Sequence, residues 1–267
     1  MIRQPISFRA HIALGVVSVV VLLTGYTALS YRQHQRNPSD KTIPNWSQLA
    51  DGVTRVLKPQ DRYDGASWLW TDAKATFTRH FSGLAIGVLV AVVLGLGMGC
   101  FTPIEALLLP PLSCLAKIPP TAMLAVFFVL VGTGMELYIA MIAFGVIPTL
   151  AQSIYQSART DVPEELIYKA YTLGASHPEL IWNVTFKQIL PRIIEAVRLQ
   201  VGPAMVYLIA AEYAIGDIGF GFRLRMQQRL SDMSTVYIYL AVLAAVGFLM
   251  DYSLTWLRRL LCPWFGK

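Results

Sequence analysis

The 267-residue chain is 55% hydrophobic and only 14% charged, with mean hydropathy +0.52, a balance that excludes an ordinary soluble domain and fits a polytopic membrane protein. Its net charge of +6 comes from short basic clusters beside apolar runs, not from a basic stripe interleaved with aromatics, which argues against a nucleic-acid partner and for charges that orient membrane helices. Cys100, Cys114 and Cys262 are odd in number and lack paired spacing, against a disulfide framework and against zinc, and His11, His34, His80 and His177 stand singly, as surface or headgroup-level residues do.

Arg3 and Arg9 precede an uncharged run, so residues 12–31 read as a first, uncleaved span behind a cytoplasmic N-terminus at 1–11. Residues 32–79 are polar and are expected outside. Within them Trp46, Leu49, Val53, Val56 and Leu57 recur at helical spacing, as in a helix that lies on a membrane surface or docks a partner, and Trp68 and Trp70 read as interface anchors. The remainder, 80–267, reads as one core. Its first span, the second of the chain, covers 81–101 and carries a small residue at intervals of four (Gly83, Gly87, Ala91, Gly95, Gly99), a stripe that lets another backbone approach.

After a polar turn at 102–105, a third apolar segment runs over 106–131. Pro110, Pro111, Pro119 and Pro120 interrupt its ladder, so freed carbonyls must face protein or a watery cavity. Lys117 sits beside the second interruption, either as a pathway residue or snorkelling from a helix that begins only after Pro120. The fourth, fifth and sixth spans are 135–157, 195–215 and 236–256, with an external loop at 216–235. Arg223, Arg225 and Arg229 in that loop run against the positive-inside rule. The other loops, with Arg258, Arg259 and Lys267 in the tail, outweigh them and put both termini in the cytoplasm.

Between the fourth and fifth spans lies the longest polar interruption of the C-terminal half, 161–191, and it contains two helix starts in tandem. Asp161, Pro163 and Glu164 form the first start signal; Ser176, Pro178 and Glu179 form the second. Gly174 is placed to stop the first helix in a left-handed conformation, and Pro191 is expected to end the second. Leu166, Ala170 and Leu173, then Trp182, Phe186 and Ile189, give each helix one apolar face. Lys169, Lys187 and Arg192 assign the pair to the cytoplasmic side.

Six spans with such an excursion resemble the permease subunits of bacterial ABC importers, whose signature there runs E-A-A, three residues, Gly, nine residues, I-x-L-P. Gly174 takes the invariant glycine, Ala170 the second alanine and Val184 the isoleucine, while Tyr168, Lys169, Phe186 and Lys187 depart from the pattern. The Leu173 to Ser176 context, Ile189 to Pro191, Lys117 to Pro120 and Arg258 to Trp264 are similar to the nitrate, sulfonate, taurine and bicarbonate branch, and the likeness spans roughly residues 77–264.

The resemblance implies an all-α inner-membrane protein that moves a small solute, leaning toward a small anion, by alternating access. It also implies partners: two cytoplasmic ATP-binding subunits, a second permease copy and an external solute-binding protein. No stretch matches G-x-x-x-x-G-K-[ST], so ATP and Mg belong on the ATPase, and this chain is not expected to be an enzyme or to bind a cofactor. By the same resemblance, Glu165, Tyr168, Lys169, Ala170, Leu173, Gly174, Ala175 and Ser176 are the expected contacts with the ATPase. Lys117, Glu136 and Glu212, ionisable residues within or at the ends of apolar segments, are the candidates for the translocation pathway. A self-sufficient channel or secondary transporter built around the broken helices and Lys117 is the alternative.

Overall fold

A computed structural model describes residues 7–38, 40–59 and 65–265. Arg3 and Lys267, two of the charges used to orient the chain, lie outside the described residues. The fold is all-α. Five helices are long and apolar enough to cross a membrane: α1 (Phe8–Arg36), α3 (Trp68–Cys100), α6 (Met135–Thr160), α9 (Lys187–Ile215) and α11 (Met233–Leu261). A sixth crossing is available if α4 (Thr102–Leu115) and the segment Pro120–Val131, bent by 84° to each other, count as one. That segment is a 3-10 turn (Pro120–Met123) leading into α5 (Leu124–Val131). Shorter helices complete the chain: α2 (Trp46–Leu57), α7 (Glu164–Thr172), α8 (His177–Glu179) and α10 (Phe220–Arg229).

The small-residue stripe organises the core. Cβ atoms added at Gly83, Gly87, Gly95 and Gly99 would fall against Ile142, Val146, Ile154 and Ala158 in turn, at distances from 2.4 to 3.3 Å. Every pair has the same offset along the chain, so α3 and α6 run parallel and in register at a spacing that only glycine permits. In lipid this contact is held by close van der Waals packing rather than by exclusion of water. Parallel neighbours require the intervening chain to return over the length of the helices, and the bent α4–α5 pair makes that return.

Several expected boundaries move. Helix α3 begins at Trp68, with Ser67 as its cap, so one continuous helix runs through residues 68–79 into the second span. Asp72, Thr76 and His80 are buried at intervals of four along one face of it. The expected turn at 102–105 is the first turn of α4. Pro110 and Pro111 stay inside that helix, and the chain breaks instead at residues 116–119. The amphipathic α2 does not simply lie on a surface: Gly52 abuts Ser234 of α11, and Val56 is buried with Phe220 and Tyr239. Its entry is fixed by a capping box in which Asn45 and Gln48 bond each other's backbone. Of the cysteines, all free, only Cys262 is buried. His80 is fully buried rather than at the headgroup level.

Candidate functional site

The helix pair between α6 and α9 forms a stiff elbow. Helix α7 starts with Glu164 and Glu165, carboxylates that complement the exposed N–H groups of its first turn, and ends with Lys169. Gly174 has φ of +82°. Its N–H donates to the Tyr171 carbonyl at 2.9 Å, and the Ala175 N–H donates to the Ala170 carbonyl at 3.0 Å. This is a Schellman stop, in which a glycine in left-handed conformation closes the helix and satisfies its last carbonyls. The next start is a capping box: the Ser176 N–H and hydroxyl donate to Glu179 Oε2 at 2.9 and 2.8 Å.

Two signals were misassigned. Asp161 does not cap α7; it ends α6, Pro163 takes the cap position without a side-chain bond, and the Asp161 carboxylate pairs with Arg192 at 3.4 Å. The buried Val162 holds the chain against the bundle there and so keeps Asp161 away from the first turn of α7. Pro191 does not end the second helix. The chain continues from α8 through a wide π turn (Leu180–Phe186) into α9, with Pro191 inside it. Proline removes the donor to the carbonyl of Lys187, an exposed residue where water replaces it.

The elbow is anchored on one side and bare on the other. Val162 and Ile167 pack into the core, and His177 lies stacked on Phe101 and edge-on to Tyr171, with ring centroids 6.4 and 5.8 Å away. On the outer face Leu173 is 88% exposed and Tyr168 64% exposed. Glu165, Lys169, Gly174 and Ser176 are also exposed, and Ala170 and Ala175 are half-buried. All eight residues expected to meet an ATPase therefore fall on one elbow.

The elbow is joined to the bundle by ions. Arg192 bridges Asp161 and, at 3.5 Å, Glu195, which in turn pairs with Arg258 of α11; Arg198 holds Asp251 at 3.0 Å. Arg159 at the end of α6 pairs with Glu105 of α4. Sequence reasoning missed these links. Their signal was the run of oppositely charged residues at the ends of consecutive spans.

The three pathway candidates do not converge. Lys117 is exposed at the α4–α5 break. Glu136 is exposed in the first turn of α6, where the helix dipole favours a carboxylate. Glu212 is fully buried near the end of α9, accepting from Thr76 Oγ1 at 3.0 Å, Arg79 Nη1 at 2.9 Å and the Gly221 N–H at 3.0 Å. Two of the arginines that offend the positive-inside rule are also accounted for. Arg223 pairs with buried Asp72 at 2.8 Å, and Arg225 donates to the carbonyls of Ala214 and Gly216. Their charges are engaged inside the protein and do not mark the side of the loop. Among the described residues no group of three or more His, Cys, Asp or Glu is placed to hold a metal ion.

The chain is similar to the taurine transport system permease TauC of Escherichia coli, 27% identical over 99% of this chain and 94% of that protein. It is similar also to the nitrate import permease NrtB of Synechocystis, 26% identical over 98% and 94%, and to the bicarbonate transport system permease CmpB of Synechococcus elongatus, 24% identical over 69% and 66%. Its fold matches the MetNI methionine ABC transporter in inward-facing conformations, with TM-score 0.58 and 20% identity over 73% of this chain and 94% of that one. Residues 83–263 match the family described as binding-protein-dependent transport system inner membrane component. The elbow and the glycine contacts of α3 with α6, from Gly83 to Gly99, lie within that match, and the chain belongs to this family of ABC importer permease subunits.

Proposed function

We propose that this chain is one of two permease copies that, with two cytoplasmic ATPases and an external solute-binding protein, import a small anion across the bacterial inner membrane. Relatives named for taurine, nitrate and bicarbonate support an anionic cargo. In this reading the α4–α5 pair is the third of six crossings, both termini and the elbow lie in the cytoplasm, and α2 and α10 lie outside. The observation that carries the reading is the elbow itself: a capped, rigid corner that exposes Tyr168 and Leu173 without a partner in this chain. Such a corner transmits a rigid-body displacement, whereas a floppy loop would absorb it. The ions joining Asp161, Arg192, Glu195 and Arg258 pass the displacement to α9 and α11. ATP binding by the partner thereby shifts the population between inward-open and outward-open states.

The test is co-expression of the permease with ATPases, followed by purification, cross-linking from Leu173→Cys and uptake in proteoliposomes. The expected result is a cross-link at the elbow and uptake only with ATP. Gly174→Val strains the left-handed corner by about 1–3 kcal/mol and is expected to leave ATP hydrolysis while abolishing uptake. Uptake that persists without ATPases or nucleotide would overturn the proposal in favour of a self-sufficient carrier.

A further inference from the structure

Helix α6 has a second face, away from α3, and it is polar at mid-depth. Thr149 lies near the centre of the helix and Gln152 and Gln156 follow on the same side, while Gln200 near the centre of α9 donates to Thr149 Oγ1 at 3.0 Å. Gln152 Nε2 donates to the Leu112 carbonyl at 3.3 Å and to the Pro148 carbonyl at 3.0 Å. Lys117 is bracketed by contacts to this face: Leu112 meets Gln152, and the Pro120 ring lies 3.0 Å from where a Cβ on Gly145 would be. Below Gln152 a cavity of about 360 Å³ opens toward the elbow end of α6, lined by Gln152, Gln156 and Arg159 among others. Thr149, Gln156 and Lys117 are exposed on this face.

Gln152, Gln200 and Thr149 donate to partners within the protein, whereas the Gln156 amide and the Lys117 ammonium have no partner among the described residues; lipid cannot cover them, because at the depth of the hydrocarbon such groups cost several kcal/mol when left bare (roughly 2–7 for a single amide). The geometry points to a solute-contact track: Thr149, Gln152, Gln156, Gln200 and Lys117 line the pathway, and Gln156, Gln200 and Lys117 hold a small anion through amide and ammonium donors. The ligand class follows from the donor set. Thr149 and Gln152 donate to backbone carbonyls, so the donors left to a ligand are the Gln156 amide, the second N–H of Gln200 and the Lys117 ammonium, and the nearby carboxylate, Glu105, is already engaged by Tyr155 and Arg159. This rests on the permease reading above and adds to it the wall that the cargo touches.

The test uses the complete transporter in proteoliposomes, with Cys100, Cys114 and Cys262 first replaced by serine. Single cysteines at Thr149, Gln152, Gln156 and Gln200, with Ala151 as a buried control, are treated from the elbow side with anionic and cationic methanethiosulfonates. Co-purification with the ATPases and ATP hydrolysis by each untreated variant report that it is folded and assembled. The expected result is reaction at the four track positions and not at Ala151, with the anionic reagent favoured by about fivefold, the factor one nearby charge supplies in a wet site. That preference should vanish in Lys117→Gln. Intact ATP hydrolysis with no reaction at the track in any nucleotide state would overturn the inference and make the face a contact between copies. Reaction without anionic preference would overturn it as an anion site. Loss of ATP dependence in the parent transporter would instead refute the permease reading.

Discussion

The two ends of the bundle are both tied by charges, yet they are built in opposite ways. At the end that carries α10, Asp72 is fully buried and accepts from Arg223 at 2.8 Å, from Tyr239 at 2.7 Å and from the Gly219 N–H at 3.2 Å. Glu212, equally buried, joins α3, α9 and α10 through Thr76, Arg79 and Gly221. At the elbow end, Arg192 and Asp161 keep 49% and 36% of their side-chain surface exposed. Buried pairs whose remaining lone pairs are all satisfied cannot be opened without leaving a bare charge, whereas wet pairs exchange for water at little cost. One end is therefore a latch, and the other a set of contacts that a partner can rearrange.

The largest expected effect comes from breaking the latch. Asp72→Ala takes a carboxylate from the buried Arg223 guanidinium beside Trp68 and the acceptor from the Tyr239 hydroxyl and the Gly219 N–H, and should cost about 3–5 kcal/mol, read as a lower unfolding midpoint in detergent. Replacing both Asp72 and Arg223 by leucine should recover part of that loss, since the ion pair is gone as a unit while the Tyr239 hydroxyl and the Gly219 N–H still lack their acceptor. A double variant as unstable as Asp72→Ala would mean that the loop around Gly219, not the ion pair, is the seat of the effect.

Tyr239→Phe sharpens the same point with a smaller change. It removes one donor from Asp72 while Arg223 and the Gly219 N–H remain, so about 1–2 kcal/mol is expected. At the other end, Arg192→Ala should shift stability by less than about 1 kcal/mol. Under the proposed coupling it should nevertheless lower the uptake obtained per ATP hydrolysed, measured in proteoliposomes. An Arg192 variant that is strongly destabilised would erase the contrast between the ends.

How much of this could be read from the residues differs between the same two regions. The elbow was legible because its signals are local: Gly174 stops one helix, and Ser176 with Glu179 starts the next within a few residues. The α3 stripe was legible too, because intervals of four put Gly83 to Gly99 on one face. The latch was not, since Asp72, Glu212, Arg223 and Tyr239 come from four helices and each alone looks like an ordinary polar residue near a span end. Polarity at Asp72 and Thr76 hid the helical continuity of residues 68–79 with the second span for that reason, and the arginines of α10 read as exceptions to the positive-inside rule although Arg223 and Arg225 are internal partners. Pro191 and Asp161 failed by a related route: a residue with a strong local preference was overruled by a neighbouring turn or a distant charge.

The smallest effect concerns the rim of the latch, where α2 leans on the start of α11. Burial pushes the Asp232 carboxyl up, but bonds from Ser234 and Thr235 and the charge of Arg55 outweigh it and leave the group below the usual carboxylate range. A carboxylate whose value is depressed in the folded state contributes stability that is fully present above its unfolded value and is lost as pH falls through the folded one. Attachment of α2 should thus be constant from neutral pH down to the ordinary carboxylate range and weaken only below it. Proteolysis within α2 (Trp46–Leu57) reports that attachment, with a protease active in acid. In Asp232→Asn, which keeps the hydrogen-bond acceptor and removes the charge, cleavage should be faster at neutral pH and nearly flat with pH. An unchanged acid limb in that variant would place the titration at another carboxylate, with Asp40, held low by Thr42 at the entry to α2, the next to replace.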